Sequence, residues 1–297
     1  MVRHVTALML AIAAWGGSAY GGPNDGPGTD GARVAAFVEA LRTDAQRRGI
    51  TPATFAAALA DFTPDPRIIA ATRKEPEYGR PVGAYVDSLV SAPHVAAGAA
   101  QAARQASLLD AIEKKYGVER WIILALWGVE SSFGSARDRW DVIRSLATLA
   151  EARYRDPYFR NELLVALRIL QERHIGRDRM LGSWAGAMGQ PQFMPSSFYD
   201  YAVDFSGDGR RDIWTNKSDV FASITNYLRR VGWRPGLRWG EEVTGGTKAA
   251  AGERIVRPSG ADGPAYRVTE NFKVILRWNQ SDFFGLAVGL LSDRIAA

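Results

Sequence analysis

The sequence predicts a mainly α-helical protein with one small β-rich part (α+β), on three observations. Apolar residues recur at helical spacing in segment after segment. Glycine and proline stand where those segments should stop or start. Only Glu241–Thr269 changes texture, to Gly, Thr, Val and Arg, as short strands would require.

The elements follow in order. Val34, Phe37, Val38 and Leu41 fall on one helical stripe that Gly49 ends. Thr51-Pro52 reads as an N-cap with proline at the first helical position. Pro64 and Pro66 break the chain again, and Glu75–Pro81 reads as a polar turn. Leu108–Tyr116 is amphipathic and stops at Gly117, after which Val118–Arg120 opens the next helix. Ser145–Ala152, Asn161–Arg173 and Phe221–Arg230 supply three more helices, the second with Leu163, Leu164, Leu167 and Leu170 facing the core. From Asn271 the chain is apolar again and is expected to pack back on the N-terminal helices.

At 297 residues the chain can bury a substantial core. Its net charge is +5; removing residues 1–19 takes away Arg3 alone and leaves 36 basic and 32 acidic residues, or +4. No run of Lys or Arg exceeds two, so nothing argues for nucleic acid. Cysteine is absent, which excludes disulfides, thiolate metal sites, a cysteine nucleophile and an N-terminal lipid on cysteine. Residues 1–19 read as a cleaved secretory signal: Arg3 and His4, the apolar stretch Val5–Trp15, then Gly17-Ser18-Ala19 as a small-x-small site. Residues 20–32, rich in glycine, read as a flexible linker.

The segment Trp121–Gly134, WIILALWGVESSFG, has no charge over the nine residues from Trp121 to Val129 and then places Glu130 near the helix end. Burial and the negative end of the helix dipole both disfavour an ionised carboxylate there, and both raise its pKa. That is what a general acid working near neutral pH requires. The alternative is a glutamate turned to solvent or paired with Arg137 or Arg139. Fifty residues on, Gly182–Phe198 (GSWAGAMGQPQFMPSSF) is too irregular for a helix and too apolar for an ordinary loop, and its Gln190 and Gln192 offer amide groups.

GVESSFG around Glu130, the Gly-rich turn followed by Gln-Phe-Met-Pro-Ser-Ser, YAVDFSGDGRRDIW (Tyr201–Trp214) and SITNYLRRVGW (Ser223–Trp233) together resemble one family, the lytic murein transglycosylases of the membrane-bound B type. The resemblance runs from Arg33 to the C-terminus. It implies a lysozyme-like helical catalytic core over residues 106–236, within a catalytic unit 33–297. Residues 33–105 would form an N-terminal helical part, 237–270 a small β-rich part, and 271–297 a segment packing back. Without a lipobox cysteine, this chain would be a soluble periplasmic variant, a monomer with no membrane anchor after signal cleavage.

The resemblance also implies the chemistry. Glu130 would protonate the oxygen between N-acetylmuramic acid and N-acetylglucosamine in peptidoglycan glycan strands, and then take a proton from the muramic C6 hydroxyl to leave a 1,6-anhydro end. The usual second carboxylate would be dispensable; Asp138 and Asp141 are poor candidates for it. Ser183, Gln192 and Tyr227 match the family's substrate contacts, and Tyr85 does so by spacing. Trp278-Asn279 stands where the family has tyrosine and asparagine. Trp184, Phe193 and Trp233 read as core aromatics. No cofactor is needed for the chemistry. Cell-wall synthesis or remodelling proteins are the expected protein partners.

Asp204–Thr215 (DFSGDGRRDIWT) is similar to an EF-hand loop: Asp204, Ser206 and Asp208 at positions one, three and five, Gly209 at six, the Arg210 carbonyl at seven, Asp212 at nine. Thr215 replaces the glutamate at twelve, and Asp219 is a displaced substitute for it. Structural calcium and an ion-free turn are both compatible with this pattern. A hydrolytic muramidase and an inert peptidoglycan-binding scaffold remain the alternatives for the whole chain.

Overall fold

The computed structural model describes residues 27–73, 82–136, 140–244, 246–251, 253–260 and 263–297. The expected signal segment, the first part of the linker, the turn Glu75–Pro81, and Arg137, Asp138 and Arg139 lie outside the described residues. In chain order come α1 (Pro27–Arg47), α2 (Pro52–Leu59), α3 (Pro66–Thr72), α4 (Val82–Leu89), α5 (Ala92–Arg104), α6 (Ala106–Tyr116) and α7 (Arg120–Ser131). Then follow β1 (Trp140–Asp141), α8 (Val142–Glu151), α9 (Tyr158–Gln171), β2 (Leu181–Gly182), α10 (Pro195–Tyr201) and α11 (Lys217–Arg230). The chain ends with β3 (Gly240–Val243), β4 (Arg254–Val256), β5 (Ala265–Val268), α12 (Glu270–Trp278) and α13 (Asp282–Ala296). The fold is mainly helical with a small sheet, as the sequence predicts.

Local signals explain most boundaries. The Thr51 hydroxyl accepts from the Thr54 amide and Pro52 opens α2. Gly117, at φ 68°, takes the left-handed conformation that ends α6. Pro66, expected to break the chain, instead opens α3, because the Asp65 carboxylate accepts from the Arg67 amide and supplies the cap. Helix α1 begins at Pro27, inside the stretch read as linker, since proline is tolerated at a first helical position. Helix α11 starts at Lys217, capped by the Asn216 side chain, four residues before the apolar stripe becomes visible.

The largest helix–helix contact joins α8 and α9, with α2 and α3 laid against them. α7 runs through the centre, and ten consecutive residues from Ile122 to Ser131 are buried. The C-terminal helix α13 does pack on α4 and α5, yet its most extensive contact is with α7 itself. Strands β3, β5 and β4 form an antiparallel sheet in that order. Gly289 seats Trp239 on α13: a Cβ at Gly289 would collide with the indole, whose ring packs near Tyr266 and Phe272. The sheet is thereby tied to the helix that supports α7.

Candidate active site

Helix α7 stops abruptly just past Glu130. Ser132, Phe133 and Gly134 all take positive φ, at 49°, 57° and 74°. A left-handed non-glycine residue costs about 1–2 kcal/mol, so two of them need compensation. The Ser131 hydroxyl donates to the Trp127 carbonyl (3.0 Å) and accepts from the Gly134 amide (3.1 Å). The Phe133 ring is buried against Trp127 and His94, in space that exists because Gly128 carries no Cβ.

Glu130 is consequently held inside the protein, 9% exposed. Burial pushes its pKa up to about 8, opposed in part by one hydrogen bond: the Trp278 indole Nε1–H donates to Oε1 at 2.8 Å. No charged group among the described residues contributes to that shift. Asp141 has other work, accepting from the Arg144 amide at the start of α8 and pairing with Arg177.

The donor itself is clamped. The Trp278 ring lies 4.7 Å from that of Tyr227 and 5.2 Å from that of Phe193. The Tyr227 hydroxyl donates to the carbonyl of Arg277, next in chain to Trp278, at 2.6 Å. Phe193 belongs to the irregular segment, which folds on itself: the Ser183 amide donates to the Ala187 carbonyl (2.8 Å), and Met188 and Phe193 exchange backbone bonds of 2.7 and 3.0 Å. The Ser183 hydroxyl, 1% exposed, accepts from the Ala187 amide at 3.0 Å. Gln192 sits at φ 53°, with backbone and side-chain N–H groups both directed at the Gly189 carbonyl.

Gln190 ties this segment to the rest. Its Oε1 accepts from the Trp127 indole (2.7 Å) on α7, its Nε2 donates to the Trp214 carbonyl (2.7 Å), and its backbone amide reaches the Ile213 carbonyl (2.9 Å). At the far end, the buried Glu162 carboxylate on α9 accepts from the Ser196 amide (2.9 Å) and hydroxyl (2.6 Å) at the start of α10. Glu162 was not singled out from sequence; the signal available was an acidic residue abutting a leucine stripe.

Residues 33–293 match the family model "Transglycosylase SLT domain". The chain belongs to that family. It is 33% identical over 210 residues to the membrane-bound lytic murein transglycosylase B of Escherichia coli K12, a stretch that covers 61% of this chain and 58% of that relative. SltB3 from Pseudomonas aeruginosa, solved with NAG-NAM-pentapeptide and with NAG-anhNAM-pentapeptide, superposes with TM-scores of 0.84 and 0.82 at 38% and 36% identity. Both comparisons cover 89% of this chain and 80% of that one. The Escherichia coli lytic transglycosylase SLT35 in complex with calcium gives a TM-score of 0.76 at 25% identity, covering 89% of this chain and 92% of that one.

Of the residues the family resemblance selects, Glu130, Trp278 and Tyr227 come together with Phe193, and Ser183 and Gln192 lie in the segment that carries Phe193. Tyr85 is buried on α4, a helix packed against α13. Trp278 does more than offer a face to sugar, since its N–H engages the acid. Trp233 is a core aromatic with its indole bonded to Glu119, and Trp184 is half-buried against the core.

In the acidic loop, carboxylate oxygens of Asp204, Asp208 and Asp219 all lie within 4.8 Å of one another. Asp219 is fully buried and accepts from the amides of Phe205, Ser206 and Asp212, so its side chain ties the two ends of the loop together. Desolvation raises the Asp204 pKa, but the amides of Gly209 and Gly207 outweigh it and hold the carboxyl below the usual range. The remaining candidates bond within the loop: the Ser206 hydroxyl donates to Asp204, the Arg210 amide donates to Asp208, and Asp212 accepts from the amides of Trp214 and Thr215.

Proposed function

We propose that this chain is a peptidoglycan lytic transglycosylase acting in the periplasm with Glu130 as its only acid–base group. The observation that carries the reading is the setting of Glu130: buried, its pKa pushed up to about 8 by that burial, and with no second carboxylate contributing to the shift among the described residues. A hydrolase using two carboxylates would find no partner for Glu130 among the described residues, whereas a substrate that brings its own nucleophile does not need one.

Glu130 donates its proton to the oxygen bridging muramic acid and glucosamine, and that C–O bond breaks. The 2-acetamido group stabilises the cation left at C1. Glu130, now a carboxylate, removes the proton from the C6 hydroxyl as that oxygen bonds to C1. The glutamic acid is restored and no water is consumed. Complexes of SltB3 with NAG-NAM-pentapeptide and NAG-anhNAM-pentapeptide support both ends of this sequence by family likeness. Ser183, Gln192, Tyr227 and Tyr85 are proposed to line the glycan cleft.

Asp204, Asp208 and Asp219 offer an oxygen-rich donor set of the kind calcium takes, with no Lys or Arg paired to them among the described residues. When bound there, the ion would neutralise three clustered carboxylates; it takes no part in bond cleavage. SLT35 crystallised with calcium supports this by likeness.

Digestion of purified sacculi in ¹⁸O-labelled water tests the reading. Mass spectrometry should find muropeptide ends lighter by one water than reducing ends and free of label. Labelled reducing ends would make the protein a muramidase, and no release at all would make it a binding protein.

A further inference from the structure

We propose that Trp278 is a positioning residue that decides which oxygen of Glu130 carries the acidic proton. This rests on the acid–base role of Glu130 proposed above and goes beyond it. A carboxylic acid has one carbonyl oxygen, the better acceptor, and one hydroxyl oxygen, and nothing in the free group tells them apart. The indole N–H donates and cannot accept. With Nε1 at 2.8 Å from Oε1, that oxygen is the acceptor and the proton resides on Oε2. A tyrosine hydroxyl at this place makes the same choice when it donates to Oε1, although unlike the indole it is also able to accept.

The donor's direction is set by its surroundings. The Trp278 ring is gripped by Phe193 from the irregular segment and Tyr227 from α11, with centroid separations of 5.2 and 4.7 Å. The backbone is fixed on both sides: Tyr227 holds the Arg277 carbonyl, and the Asn279 side chain accepts from the Ser281 amide at 3.0 Å. Three separate segments therefore converge to aim one N–H at the acid on α7.

The same bond helps the reaction forward. As Oε2 releases its proton, negative charge spreads over both oxygens and the bond from Nε1 becomes charge-assisted and stronger. An interaction that strengthens as the transition state forms raises kcat rather than lowering KM. On the return step Oε1 is still occupied, so Oε2 receives the C6 proton. One oxygen serves both steps.

The test compares Trp278→Phe, which keeps an aromatic ring but has no donor, with Trp278→Tyr, which regains one, on soluble alternating GlcNAc–MurNAc strands. Trp278→Phe should lose about 10-fold or more in kcat, as for a hydrogen bond to a charged group, with KM changed less than about twofold; Trp278→Tyr should recover a large part of the loss. In ¹⁵N-tryptophan-labelled protein, the indole signal that disappears in Trp278→Tyr should move in Glu130→Gln, where an amide replaces the carboxyl. Full kcat in a folded Trp278→Phe protein, a defect confined to KM, or no recovery in Trp278→Tyr would each overturn the proposal. If Trp278→Phe does not fold, an indole signal unmoved by Glu130→Gln overturns it. Activity surviving in Glu130→Gln would instead sink the acid–base reading itself.

Discussion

Replacing Glu130 by glutamine should abolish turnover and, against the usual direction for a buried-site substitution, stabilise the protein at neutral pH. Glu130 has an ordinary pKa of 4.5 and a folded-state value of about 8. The folded state therefore holds the proton more tightly than the unfolded chain does. Its contribution to stability is fully present below about 4.5 and is lost as pH rises to about 8. At pH 7 nearly all of the 2.5-unit gap above 4.5 has been traversed, and at 1.36 kcal/mol per unit the loss is about 3 kcal/mol. Glutamine keeps the shape and an oxygen acceptor for Trp278 but never ionises, so the variant escapes the loss. For a chain of this size about 3 kcal/mol corresponds to a Tm gain on the order of 5–10 °C. Melting curves of both proteins from pH 4 to 8 would measure it, and taking the difference at each pH cancels every group the two share. The curves should meet near pH 4 and diverge towards pH 8, with the glutamine form higher. Parallel curves, or a less stable glutamine form at pH 7, would mean that Glu130 is solvated and charged, and the argument that it holds a proton to donate would fall.

Two further outcomes follow from residues around the acid. Gln190→Ala should cost about 2–4 kcal/mol, because it leaves the buried Trp127 indole N–H and the Trp214 carbonyl without their partner; chemical denaturation would measure the loss, and one below about 0.5 kcal/mol would mean that water replaces the side chain. Calcium at a hundredfold excess over its Kd should stabilise the wild type by about 2.7 kcal/mol and leave Asp208→Ala unmoved, with maximal activity little changed; a flat thermal response at millimolar calcium would show that the loop keeps its turn without an ion.

The parts of this molecule legible in its sequence are those whose signal is local. The α7 helix announces itself because nine uncharged residues have one place to go, and Glu130 stands out because it interrupts them. Helix α5, rich in alanine, escaped notice because alanine suits a buried or an exposed face and leaves no stripe to count. Helix α10 was hidden by Pro-Ser-Ser, which reads as a turn until Glu162, 34 residues away in the chain, bonds Ser196 at the helix start. What periodicity could not supply is the convergence on the acid. The bond from Trp278 to Glu130 spans 148 residues, and it exists because Phe193 and Tyr227 hold the ring while α13 packs along α7. Glu130 can hold its proton near neutral pH because of that packing: the helix that carries it supplies the carboxyl, and segments distant in sequence supply both the dry surroundings that raise its pKa and the indole donor on Oε1.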